Sequence, residues 1–112
     1  MKGIVIEVSG EVRALEMPDG DGSLQSMQQA VGGYIEHVAT NEARFDIWCN
    51  EEGKLTGLPL NELATQFLYA TDPNWVGHDV LVGPVLLTGG ADNEGATQTV
   101  PDFLLEQFGL AS

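Results

Sequence analysis

The sequence predicts an α+β fold: a mainly antiparallel β-sheet of five or six strands with two or three helices packed against it, in a single domain over residues 1–112. Three observations predict it. Short apolar segments alternate with period two near the start of the chain and again from Arg44 to Asn50. Stripes at helical spacing follow Ser23 and Leu60, and clusters of Gly, Pro, Asn and Asp separate the segments. A chain of 112 residues, 43% of them hydrophobic, is long enough to bury about two thirds of the surface it exposes when unfolded.

Gly3 to Val8 sets Ile4, Ile6 and Val8 against Val5 and Glu7, and Val12 to Met17 follows a Ser9-Gly10 turn, so the chain opens on a β-hairpin. Pro18 to Gly22 reads as an acidic loop. Ser23 is the expected N-cap of a helix carrying Leu24, Met27 and Val31, and Gly32-Gly33 ends it, because glycine takes the left-handed conformation a helix C-cap requires. Tyr34 to Ala39 and Arg44 to Asn50 read as strands. In the second, Phe45, Ile47 and Cys49 share the core face, and Asp46, Trp48 and Asn50 share the more polar one.

Asn50-Glu51-Glu52-Gly53 is a polar turn with Gly53 supplying positive φ, and Lys54 to Leu58 is a short return strand closed by Pro59. Leu60, Leu63, Ala64, Phe67 and Leu68 then form a helical stripe that ends at Thr71-Asp72-Pro73-Asn74. A loop with Trp75, Gly77 and His78 leads to an apolar strand over Asp79 to Thr88, in which Pro84 argues for a bulge or a sheet edge. Aligning Gly53 with Gly95 reveals a repeated local design of acidic turn, Gly, short strand, Pro and helix, with Asp92-Asn93-Glu94-Gly95 matching Asn50 to Gly53 and Val100-Pro101 matching Leu58-Pro59. Convergence is favoured over duplication of the segment, since the match is short and turns and helix starts each have few chemical solutions.

Seventeen Asp and Glu face four Lys and Arg, for a formal net charge of −13 at pH 7. Such a surface disfavours direct nucleic-acid and membrane binding and leaves two readings: a solvated acidic surface, or an acidic face that docks on a basic partner and at the limit imitates DNA phosphates. The carboxylates come in ones and twos, so any acidic face is assembled by folding. One cysteine, no signal-peptide pattern and no run of about 20 apolar residues point to a cytoplasmic setting.

Catalytic and metal-binding groups are not found. His37 and His78 have no zinc-type spacing, Cys49 falls on the core face, Glu51-Glu52 lacks the spaced ligands of a calcium loop, and there is no nucleophile elbow or phosphate-binding loop. No cofactor is implied. The binding candidates are Trp48, flanked on its face by Asp46 and Asn50, and Trp75 in its loop, because an aromatic ring among carboxylates suits an interface anchor.

Leu24-Gln25, Val31-Gly32-Gly33-Tyr34-Ile35-Glu36, Cys49 to Leu55, Gly57 to Asn61 with Ala64-Thr65, and Gly83 to Gly89 together resemble the domain-of-unknown-function family DUF3846, found in bacteriophages and in actinobacterial and clostridial genomes. The chain departs from the family at Gly83-Pro84, where an acidic residue is usual. The resemblance implies a phage or mobile-element accessory protein and carries no reaction. The leading functional expectation is a non-enzymatic acidic protein that binds a host protein, as in counter-defence or nucleic-acid mimicry. A protein that sequesters a small ligand or nucleotide signal is the alternative, an enzyme with an unrecognised site is the third, and self-association stays open.

The carboxylate surplus generates a prediction. If like charges repel across the folded surface, sodium chloride screens them over a Debye length of about 8 Å at physiological strength, and the unfolding midpoint rises from low to moderate salt. Repelled carboxylates have folded pKa values above their unfolded ones, so mild acid at first spares the fold. A midpoint that stays flat or falls with salt would show the charges already organised into favourable pairs.

Overall fold

The computed structural model describes residues 1–110; residues 111 and 112 of the expected domain lie outside it. Five strands form one antiparallel sheet: β1 (Lys2–Ile6), β2 (Val12–Glu16), β3 (Ile35–Val38), β4 (Phe45–Asn50) and β5 (Val85–Gly89), in the order β2-β1-β5-β4-β3. Three α-helices, α1 (Asp21–Val31), α2 (Glu62–Thr71) and α3 (Asp102–Gln107), complete the α+β arrangement. A 3₁₀ turn covers Pro73–Trp75.

Strand periodicity sorts the core into two layers. Ile4, Ile6, Val38, Phe45, Ile47, Val85 and Leu87 point to one face and pack with Ala64, Phe67 and Leu68 of α2 and Leu104 and Leu105 of α3. Val5 and Leu86 point to the other, where they meet Met27 and Val31 of α1, with Trp48 and Ile35 at the margin. The sheet is therefore covered on both sides. The near-unbroken apolar run of β5, every residue of it buried, is the sequence mark of that central position.

Several expectations shift. Helix α1 starts two residues before Ser23; its N-cap is Gly20, and the Ser23 hydroxyl donates to the Gly20 carbonyl at 2.7 Å. Gly32 does take the left-handed conformation, φ 79°, and its N–H and that of Gly33 both donate to the Gln28 carbonyl. Pro84 is neither at an edge nor in a bulge. It directly precedes β5, a central strand, and so leaves the ladder donors untouched.

The return strand over Lys54–Leu58 is absent, because residues 51–57 coil in consecutive turns. The extended pairing falls later, where Leu60 bridges Val82, Asn61 N–H donates to Leu81 O and Gly83 N–H donates to Pro59 O. Gly53 does not have positive φ. It is glycine because a Cβ there would lie 2.9 Å from Val82 Cγ2. Gly95, by contrast, has φ 83°. The two repeated turns share a backbone N–H two residues on bonded to Asn50 Oδ1 or Asp92 Oδ1 and a glycine N–H bonded to the Asn50 or Asp92 carbonyl, and they differ in the conformation of that glycine.

Asn61 ties these parts together. Fully buried, its amide donates to Ile6 O and to Gly83 O, each at 2.9 Å, while its Oδ1 caps α2 by accepting from Ala64 N–H at 3.0 Å. Asn61→Ala removes three buried hydrogen bonds at once, so urea denaturation should show a loss of about 3 kcal/mol. A loss below about 1 kcal/mol would mean that water replaces the amide.

Candidate functional site

The loop over residues 51–58 stands as a wall between two grooves. It is fixed at its root by Asn50, whose Nδ2 donates to Val31 O at the end of α1 (3.2 Å) and whose Oδ1 accepts from Glu52 N–H (2.8 Å). On one side lies a cavity of about 560 Å³ among Gln28, Tyr34, Asn50, Thr56, Leu58 and Pro84, with Glu52 as its one charged residue. On the other side, a more enclosed cavity of about 300 Å³ runs along β3.

This second groove has an apolar floor of Cys49, Leu81 and Val82, with Trp75 at one end and Glu36, Glu51, Lys54 and Asp79 around it. Its far wall, Asp79–Val82, is anchored to α2, since Thr65 Oγ1 accepts from Leu81 N–H at 2.9 Å and the Tyr69 hydroxyl donates to Asp79 O at 2.7 Å. The Trp75 indole N–H donates to Ala39 O at 2.9 Å, joining the 3₁₀ turn to the end of β3. Lys54 pairs with Asp79 across the cavity. Leu55, 88% exposed, and Val80 continue the apolar surface outward.

The electrostatics follow from these contacts. The hydrogen bond from Lys54, opposed by burial, lowers the Asp79 pKa below its usual value. Burial, helped by the Glu36 charge, pushes the Cys49 thiol up to about 11. That opposes nucleophilic use, because the thiolate is the reactive form. No group of three His, Cys, Asp or Glu among the described residues is placed to hold a metal ion.

Every Lys and Arg of the chain lies against a carboxylate: Lys2 on Glu16, Arg13 on Glu7, Arg44 on Glu42 and Lys54 on Asp79. Glu36 and Glu51 have no ion-pair partner among the described residues. Glu42, held by side-chain hydrogen bonds from Arg44 at 2.7 to 3.2 Å, is lowered to about 2 from 4.5. A carboxylate with a depressed folded pKa contributes stability that is present above the unfolded value and lost as pH falls through the folded one. Glu42 and Asp79 thus act against the acid tolerance expected of mutually repelling carboxylates.

The four sequence candidates divide between two places. Asn50 and Trp75 line the groove along β3. Asp46 and Trp48 lie on the opposite face of the sheet with His37, whose Nε2 is 3.0 Å from Asp46 Oδ1 and whose ring centroid is 5.0 Å from that of Trp48. Trp48 is half-buried beside α1, and its indole N–H donates to Thr88 Oγ1 at 2.9 Å, so part of its binding capacity is committed internally. Sequence reasoning missed Glu36, Leu55, Val80 and the Lys54–Asp79 pair. The only sequence signal was Leu55, a large apolar residue in a polar turn.

The molecule is an α+β protein with one antiparallel sheet, helices on both faces and an acid-rimmed apolar groove beside an edge strand. It belongs to the domain of unknown function family DUF3846, whose model matches residues 1–110. Comparison with curated proteins and with solved structures finds no match.

The Cys49 environment is open to test. A thiol at about 11 instead of 9.0 has about a hundredfold less thiolate at pH 8. Alkylation by iodoacetamide should be slower than that of a free cysteine by about that factor, and unfolding in urea should abolish the difference. Fast native-state alkylation would refute the raised thiol pKa.

Proposed function

We propose that this chain is a non-enzymatic accessory protein of a phage or mobile element, acting in the cytoplasm by binding a basic surface of a host protein. The observation that carries the reading is the distribution of charge. All four Lys and Arg side chains already pair with carboxylates, while Glu36 and Glu51 remain unpaired among the described residues, at the rim of an apolar groove. Unpaired carboxylates around apolar surface give a basic partner both long-range steering and a desolvated contact. The acidic surface repels phosphate backbones, so the partner is a protein rather than a nucleic acid. No helix among the described residues is long and apolar enough to cross a membrane.

The larger groove supports a second reading, the binding of a small ligand. Its lining is mostly apolar or neutral, with Gln28, Tyr34, Asn50 and Thr56 as hydrogen-bonding groups, and this chemistry suits a neutral or cationic molecule better than a nucleotide.

The two readings separate by salt. Host proteins retained on the immobilised chain at low salt should elute at moderate salt, and Glu36→Lys with Glu51→Lys should weaken their retention at low salt. A retained small molecule that resists salt and is unaffected by the charge reversals would replace the protein-binding reading with the second one.

A further inference from the structure

The sheet order leaves β3 at an edge, and its register fixes which backbone groups face outward. Glu51 N–H donates to Tyr34 O, and Ile35 pairs with Asn50, Glu36 with Cys49, His37 with Trp48 and Val38 with Ile47. Hydrogen-bonded pairs alternate along an antiparallel ladder, so Glu36 and Val38 bond to β4. The N–H and C=O groups of Ile35 and His37 point away from the sheet, and no other backbone segment among the described residues bonds to them. An uncovered strand edge is a template for another strand.

The groove determines what that strand carries. Glu36 and Val38 point to the side of the cavity, as do alternate residues of any chain that pairs with β3. The floor of Cys49, Leu81 and Val82 accommodates the aliphatic stem of a lysine or arginine, and Glu36 and Glu51 stand at the rim for its charged head. A second copy of this acidic chain would bring the wrong charge to that rim. The other edge strand, β2, offers charges that are already matched, with Arg13 on Glu7 and Glu16 on Lys2.

We propose that β3 is a strand-addition site for an extended basic segment of a partner protein, which pairs with Ile35 and His37 and places a lysine or arginine in the groove rimmed by Glu36 and Glu51. This rests on the protein-binding reading above and specifies its mode.

The test uses the full chain and an octapeptide that alternates lysine and valine, with a glutamate-for-lysine peptide as control. On addition of the basic peptide, hydrogen exchange at the amides of Ile35 and His37 should slow at least tenfold, with no such change at β2. Glu36→Gln combined with Glu51→Gln should weaken binding about tenfold. His37→Pro removes an outward N–H without touching the β3–β4 ladder and should abolish binding, whereas Ala14→Pro on β2 should not. If His37→Pro does not fold, the exchange measurement on the unaltered chain decides alone. Salt-sensitive binding that leaves the Ile35 and His37 amides unprotected overturns strand addition and spares the protein-binding reading. Failure of every basic peptide and basic host protein to bind overturns both.

Discussion

A single buried amide holds the arrangement on which the rest of the structure depends. Asn61 bonds at once to the end of β1, to the turn before β5 and to the first turn of α2, the most distant of these 55 residues away from it in sequence. Each bond engages a backbone group of the interior, so one side chain fixes the position of α2 against the sheet. Thr65, one turn along the helix, then holds Leu81 on both sides of its peptide, accepting from its N–H and donating to its carbonyl. The wall formed by Asp79–Val82 is in this way built from the same contacts that secure the core.

Acidity and stability are compatible because they occupy different parts of the molecule. Both apolar layers are closed by residues from strands and helices, and among the described residues every buried side-chain polar atom has a hydrogen-bond partner. Asp72 is buried, where its carboxylate accepts from the Asn41 and Asn74 N–H groups; the other carboxylates among the described residues lie outside these layers, where water screens them. The four basic side chains each take one carboxylate, and Arg44 also lies 4.5 Å above the Phe103 ring. The distribution leaves the cavity beside β3 with more negative than positive charge, facing a strand edge whose backbone is free.

The resemblance read from the sequence gains a spatial meaning. Val31 to Tyr34, Asn50, Glu52, Leu58 and Pro84 stand far apart in sequence and meet around one cavity. Asn50 explains how: its side chain spans from the end of α1 to the start of the loop, and a Cβ on Gly33 would lie 2.8 Å from its amide nitrogen. Glycine at 33 and asparagine at 50 are two halves of one contact.

Much of the fold was legible in local pattern. Period-two alternation identified β1, β2 and β4 and the core face of β4, helical spacing identified α2, and Gly32 marked the end of α1, because these features are set by backbone geometry within a few residues. Composition determined the acidity of the surface for the same reason: charge is a property of residues wherever they lie. What the sequence left open were distances between remote residues. Local turn chemistry makes Asn50 to Leu58 look like a hairpin, but Gly53 packs against Val82 and the pairing strand forms instead at Pro59–Asn61 against Leu81–Gly83. The polar-looking face of β4 was covered by α1, so Trp48 turned inward while Trp75 came to the groove. Only tertiary structure brought Glu36, Glu51, Lys54 and Asp79 around one cavity, because their proximity depends on strand order and on the long-range bonds of Asn61 and Thr65, neither of which leaves a periodic trace in the chain.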